Sequence, residues 1–437
     1  MEYLLLFLLM LLFLLSYFST GKDFFAPTTM MVISFALASI FSIYVSNDVD
    51  YRIRSETMWL IVSFLFVGVI TGALCHSLVA CFRVREVEET STPLPLFFSL
   101  FCIAFTAVTA FLYLRFIRQI GGGFGSFSQI MTSFRSANAY STDEDAQTPM
   151  YLKQMMNMLK AIFFIHTFDL MRNYTELSGK RKLQHIVVMG LTLAISLLSG
   201  GRASAIANII GCVALFHFIR IQKIGKYKTY SLSFTLKMIV VVLIAAVMFY
   251  AVKELVGRVS DDSFLEYISH YFGTGIINLD LFLKNPPAES KIWGKETFYS
   301  IINILRRFGI LDIQHYLIHR EFRFLHGVSM GNVYTMFRGL LYDFGTAGAL
   351  TFFVLQCVVV SVLYEITKRK KSSVWILFFS NMYYAFPLAS FNDSFYSGVV
   401  SVGFCVQCIM ILLLYELFSK KRIRIVIKKT RKRRLFS

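Results

Sequence analysis

The feature that most constrains this chain is an apolar run about one bilayer long, repeated many times. It begins at once, with MEYLLLFLLMLLFLLSYF at positions 1–18. An α-helix crossing the hydrocarbon core needs about 20 mostly apolar residues, because each backbone N–H and C=O must be satisfied inside the helix. Eleven segments meet that need, with ten to twelve as the range: 2–18, 27–45, 58–81, 95–115, 154–172, 184–199, 203–219, 232–252, 346–365, 374–390 and 395–418. The opening run lacks a basic leading region and a small-residue cleavage site, so it reads as a retained span and not a removed signal. Only 16% of residues are charged and 56% are hydrophobic, where a soluble domain is about a quarter charged. The expectation is one all-α polytopic membrane domain covering 1–437.

Basic residues in short loops orient such a chain. The tail SKKRIRIVIKKTRKRR carries ten Lys/Arg and no acid, which places 419–437 as a basic cytoplasmic tail. Alternation then puts the loops 178–184, 220–228 and 367–373 on the same side. The net charge of +18 reads as a topology anchor on anionic membrane lipid, not as nucleic-acid binding. All seven cysteines fall within or at the ends of spans, where thiols pack as small hydrophobes.

Two long segments face outward on this topology, 116–149 and 253–345. The second lies between spans eight and nine and holds ten Lys/Arg against nine Asp/Glu between Lys253 and Arg338. Within it, TFYSIINILRRF (297–308) has the apolar stripe of a short interfacial helix that ends on Arg306 and Arg307. Trp293, Tyr299, Tyr316 and Phe322 are candidate platforms for sugar rings or members of an aromatic belt. Arg202, in LLSGGRASAIANIIG (197–211), stands at the first turn of span seven. A helix N-terminus there, with a planar guanidinium beside it, suits a phosphate or pyrophosphate. The other reading of Arg202 is an interfacial anchor that snorkels to headgroups.

SGGRASAIANIIG, GNVYTMFRGLLYDFGTAG and AFPLASFNDSFYSG (385–398) resemble segments of bacterial O-antigen polymerases, a group of oligosaccharide repeat-unit polymerases related to O-antigen ligases. The likeness extends to the architecture, many spans with one long outer loop in the second half. It implies a GT-C-type glycosyltransferase of the bacterial inner membrane. Such an enzyme transfers a glycan from undecaprenyl pyrophosphate to a new lipid-linked repeat unit on the periplasmic face. An O-antigen ligase and a lipid-linked oligosaccharide flippase are the alternatives. Carried onto this sequence, the resemblance gives Arg202, then Arg320 or Arg323, the pyrophosphate. His326 and Asp343 are candidate helpers for the acceptor hydroxyl, although Gly331 stands before Asn332 where related ligases have a histidine. Arg135, Arg306, Arg307, Asn332, Tyr334, Arg338 and Asp393 complete the candidate substrate-binding set. A chain-length regulator protein is the implied partner. No cofactor is expected: fixed arginines can stabilise a departing pyrophosphate without a metal. The Asp-x-Asp pairs Asp48–Asp50 and Asp143–Asp145 are read as polar loops.

Overall fold

The computed structural model describes residues 1–82, 92–122, 125–141, 146–199, 202–224, 229–230, 246–253, 262–316, 318 and 320–420. The basic tail beyond Lys420, the Gly200–Gly201 turn, Asp143–Asp145 and most of the expected span at 232–252 lie outside them. Eight described helices are long and apolar enough to cross a membrane. They are α1 (Glu2–Ser19), α2 (Pro27–Asp48), α3 (Ser55–Cys81), α4 (Leu96–Gly121), α7 (Gly179–Ser196, continued by a turn to Ser199), α8 (Ala203–Ile224), α11 (Phe337–Lys370) and α13 (Val402–Leu414, continued to Ser419). Leu4, Phe7 and Leu11 on α1, Leu74 and Leu78 on α3, and Phe97, Phe101 and Phe111 on α4 are exposed. An apolar belt of that extent is stable against lipid, not water.

Further helices of the described framework are α5 (Phe127–Tyr140), α6 (Met150–Arg172), α9 (Phe264–Lys284) and α10 (Tyr299–Arg307). The helix α6 spans the expected fifth crossing but carries Lys153, Lys160, Asp169 and Arg172. Loops expected to share a side do meet. Arg172 donates to Ser373 Oγ at 2.7 Å, and Gln222 donates to the Lys371 carbonyl at 2.6 Å. The large segment before α11 gathers at the opposite end, where Tyr51 and Arg54 reach α9.

Three expectations change. The 253–345 segment is not simply an outer loop, because α9 packs along α2. Gly273 presses on the Phe41 backbone, where an added Cβ would lie 2.6 Å from its carbonyl carbon. Asp280, with no exposed surface, accepts from the Arg54 Nε at 3.1 Å, the Tyr51 hydroxyl at 2.5 Å and the Thr57 hydroxyl. Hydropathy misses this helix because its Asn278 and Asp280 are satisfied by protein partners instead of facing lipid.

Second, α11 is broken at Gly345, whose φ of 63° suits glycine. Phe337 and Phe353 pack with ring centroids 5.3 Å apart, although a straight helix would hold positions 337 and 353 about 24 Å apart. Residues 337–344 therefore fold back alongside the start of the long crossing. Third, 374–390 is not one span. The helix α12 (Ser373–Met382) ends in a short turn, Tyr383–Ala385, and irregular chain follows up to the turn at Phe395–Val399. Pro387 and Gly398 interrupt the apolar pattern there. The two non-crossing pieces meet, with the Met336 N–H donating to the Ala389 carbonyl at 2.8 Å. The one exception to an all-α fold among the described residues is a hairpin of β1 (Arg323–Leu325) and β2 (Val328–Gly331).

Candidate functional site

The broken helix carries Arg338 into the protein interior, where the side chain is 1% exposed. Its guanidinium pairs with Glu296 and, at 2.8 Å, with Glu321 Oε2. The rings of Phe282, Tyr334 and Tyr342 surround it, with centroids 5.0–5.3 Å from the guanidinium carbon. Arg323 donates to Glu321 Oε1 at 2.8 Å and to the Tyr334 hydroxyl at 3.2 Å. Arg320 lies 3.7 Å from Glu296 and donates to Asn392 Oδ1 at 2.8 Å. Three of the expected arginines thus form one cluster held by two carboxylates. Burial acts to raise the Glu321 carboxyl, yet its backbone hydrogen bond and the charges of Arg338 and Arg323 hold it below the usual range.

Tyr334 anchors this cluster by donating to the Glu321 carbonyl at 2.9 Å. Asn278 of α9 fixes the loop on the other side, donating to the carbonyls of Met330 and Val333 at 2.9 and 2.8 Å. Asp393 accepts from the backbone N–H groups of Phe395 and Tyr396 at 3.2 and 3.0 Å. Burial pushes its carboxyl up to about 6, against the pull of those N–H groups and of Arg320. Asn332, Tyr334 and Arg338 share the strand-to-helix segment that carries the cluster.

Asp343 accepts the backbone N–H groups of Glu296 and Thr297, at 3.1 and 2.7 Å for its Oδ2. It thereby ties the broken helix to the loop that supplies Glu296. Beside it opens a cleft of about 620 Å3 whose lining includes Glu289, Lys291, Trp293, Tyr342, Asp343 and Phe352. Trp293 is 67% exposed and packs on Phe344 and Phe298, at 4.9 and 5.6 Å between centroids. An exposed aromatic face flanked by carboxylates suits a sugar ring. Of the other aromatic candidates, Tyr299 and Tyr316 brace each other, with Tyr299 donating to the Tyr316 carbonyl at 3.3 Å.

No family model, curated protein or solved structure matches this chain.

Arg202 occupies a different environment. It is 4% exposed, and its guanidinium carbon lies 3.6 Å from the Phe249 ring centroid and 5.4 and 5.2 Å from those of Tyr267 and Tyr271. Nη1 donates to the Phe249 carbonyl at 2.6 Å and Nη2 to the Tyr267 hydroxyl. The two sites approach through Tyr271, which stacks on Phe391 at 5.1 Å, next to the Asn392 that holds Arg320. His326 stands apart. It forms the hairpin turn with φ 49° and faces the Val49 carbonyl, 3.0 Å from its Nδ1. Two strand residues, Phe324 and Leu325, separate it from Arg323, about 10 Å along the hairpin. Arg135 lies on α5, while Arg306 and Arg307 end α10, outside the arginine–glutamate cluster. Among the described residues no group of three His, Cys, Asp or Glu is placed to hold a metal ion.

Sequence reasoning missed Glu296, Glu321 and Asn392 on the cluster and Phe249, Tyr267 and Tyr271 around Arg202. The near balance of cations and acids in the 253–338 segment was the one available signal for the pairing.

Proposed function

We propose that the protein is an inner-membrane glycosyltransferase with a GT-C-like arrangement. It polymerises undecaprenyl-pyrophosphate-linked oligosaccharide repeat units on the periplasmic face and releases undecaprenyl pyrophosphate. The observation that carries this reading is the cleft of about 620 Å3 with Trp293 and Asp343 in its wall, beside the buried arginine–glutamate cluster and inside a lipid-embedded bundle. Trp293 offers a face to a sugar ring, and the neighbouring carboxylates accept from sugar hydroxyls. The fixed cluster supplies polarity without reorganisation when charge shifts onto a leaving pyrophosphate.

The test is reconstitution of the full chain in proteoliposomes with a purified lipid-pyrophosphate repeat unit, followed by sizing of the lipid-linked product. A ladder of multiples is expected, and it persists in EDTA. A single transfer to lipid A core makes the protein a ligase. Movement of substrate across the bilayer with no new bond makes it a flippase. Activity abolished by chelation and restored by a divalent ion removes the metal-free mechanism.

A further inference from the structure

Gly339 lies on the folded-back start of α11, one turn before Asp343 and on the same helical face, about 6 Å away along the axis. It is buried. Neither a positive φ nor a close approach requires glycine at this position, and glycine is less favourable in a helix than alanine. A Cβ built there would meet Thr297 Oγ1 at 3.8 Å, Arg320 Nη2 at 4.0 Å and Glu296 Cβ at 4.0 Å, the three nearest atoms outside the helix backbone. Two nearby glycines differ. A Cβ on Gly275 would fall 2.7 Å from the Ser390 carbonyl oxygen, and one on Gly348 would fall 2.5 Å from the Phe344 Cβ. Those two are small because packing demands it. Gly339 instead leaves space for a group the size of a methyl or a hydroxyl.

The walls of that space are polar and incompletely bonded. Glu296 is 8% exposed, and its Oε2 accepts no hydrogen bond among the described residues. It lies 3.7 Å from Arg320 Nε, a separation that a bridging oxygen spans. Thr297 is 1% exposed, and its hydroxyl stands beside the Asp343 carboxylate without a directed hydrogen bond. Arg320 uses Nη1 for Asn392, and among the described residues no hydrogen bond reaches its Nη2. A carboxylate oxygen, a hydroxyl and a guanidinium N–H thus border one small space. A phosphate oxygen there would meet the Glu296 charge, and an ammonium would meet Arg320. A neutral hydroxyl, which both donates and accepts, suits all three groups. The space also adjoins the cleft wall: Asp343 lines the cleft and accepts the Thr297 N–H at 2.7 Å.

We propose that the space at Gly339 is a subsite for one free hydroxyl of the glycan in the cleft, donating to Glu296 Oε2 and accepting from Arg320 Nη2, with the Thr297 hydroxyl as third partner. This rests on the glycosyltransferase reading for the identity of the ligand as a sugar. The subsite makes that hydroxyl a point of selection. A deoxy sugar leaves the buried Glu296 and Arg320 groups unpaired, and an acylated one does not fit, so both are rejected. A water molecule offers the same chemistry as the hydroxyl, and the experiment separates the two sources.

The full-length protein in detergent is titrated with two probes, a purified lipid-pyrophosphate repeat unit and undecaprenyl pyrophosphate that carries no sugar, and binding is read by native mass spectrometry. Gly339→Ala is expected to weaken binding of the glycosylated lipid about ten-fold or more and to hold the bare lipid within about two-fold of the parent. Its unfolding temperature should match or exceed the parent's, because alanine fits the space and favours the helix. Thr297→Val removes a hydroxyl that the fold does not bond and should act in the same direction. It decides the question alone if Gly339→Ala does not fold. Parent-like binding of the glycosylated lipid by these variants overturns the subsite. When that result comes with a lower unfolding temperature for Gly339→Ala, the space belongs to an ordered water. Equal loss of both lipids overturns the subsite too, since the site would then not read the sugar. Product sizing on the same variants keeps the two claims apart. Binding lost in the variants of a chain that makes no polymer sinks the polymerase reading and leaves the subsite. Normal ladders from both variants sink the subsite and leave the polymerase. A parent that does not bind the glycosylated lipid sinks both.

Discussion

Arg338 and Arg202 are both almost fully buried arginines, yet the protein neutralises them in opposite ways. Arg338 sits between the carboxylates of Glu296 and Glu321. Among the described residues the cage of Arg202 holds no carboxylate and consists of a backbone carbonyl, a tyrosine hydroxyl and ring faces. The first arrangement is a closed ion network that fixes the loop and the broken helix to each other. The second holds the guanidinium inside an aromatic shell. One arginine is held by opposite charge and the other by rings and neutral acceptors.

The strongest test of that contrast is Arg338→Ala. It leaves Glu296 with Arg320 alone, 3.7 Å away, and Glu321 with Arg323 alone, and is expected to destabilise the protein by up to about 3–5 kcal/mol. The readout is thermal unfolding in detergent. Arg338→Lys should recover little, because one ammonium cannot span both carboxylates with the guanidinium fork. Unchanged unfolding of Arg338→Ala would show that the network is not structural.

Arg202→Lys should spare folding more than Arg338→Ala but lower polymer formation by on the order of 10²-fold at matched membrane abundance. An ammonium keeps the charge, yet cannot lie flat on Phe249 while donating to both acceptors. Wild-type laddering from the lysine variant would reduce Arg202 to an interfacial anchor.

The smallest effect concerns Asp393, whose carboxyl is pushed up to about 6 by burial. Because the folded state holds this proton more tightly than the unfolded chain, its contribution is fully present below about 3.8 and is lost as pH rises through 6. Between pH 5 and 7 the loss amounts to about 1 kcal/mol. Asp393→Asn keeps an oxygen for the Phe395 and Tyr396 N–H groups, so its unfolding temperature should vary less with pH over that window than the parent's. Identical slopes would mean that Asp393 stays charged.

Sequence alone determined the membrane-spanning class, because lipid imposes a length and a polarity on each exposed crossing that are written locally. It did not mark the two places where the chain fails to cross cleanly, and it read 374–390 as one crossing. Gly345 stands in DFGTAG, and Pro387 and Gly398 flank Asp393. What those signals do could not be read from them. That Phe337 turns back to meet Phe353 depends on aromatic packing between positions far apart in sequence. The burial of α9 was invisible for a related reason. Its Asn278 and Asp280 oppose crossing when scored against lipid and are satisfied once Met330, Val333, Arg54 and Tyr51 surround them. The same limit applies to the charges. The sequence singled out Arg202, Arg320, Arg323 and Arg338 as cations of interest. Only the tertiary structure decided which of them meet carboxylates and which meet rings, since the energy of a buried charge is set by what surrounds it in space.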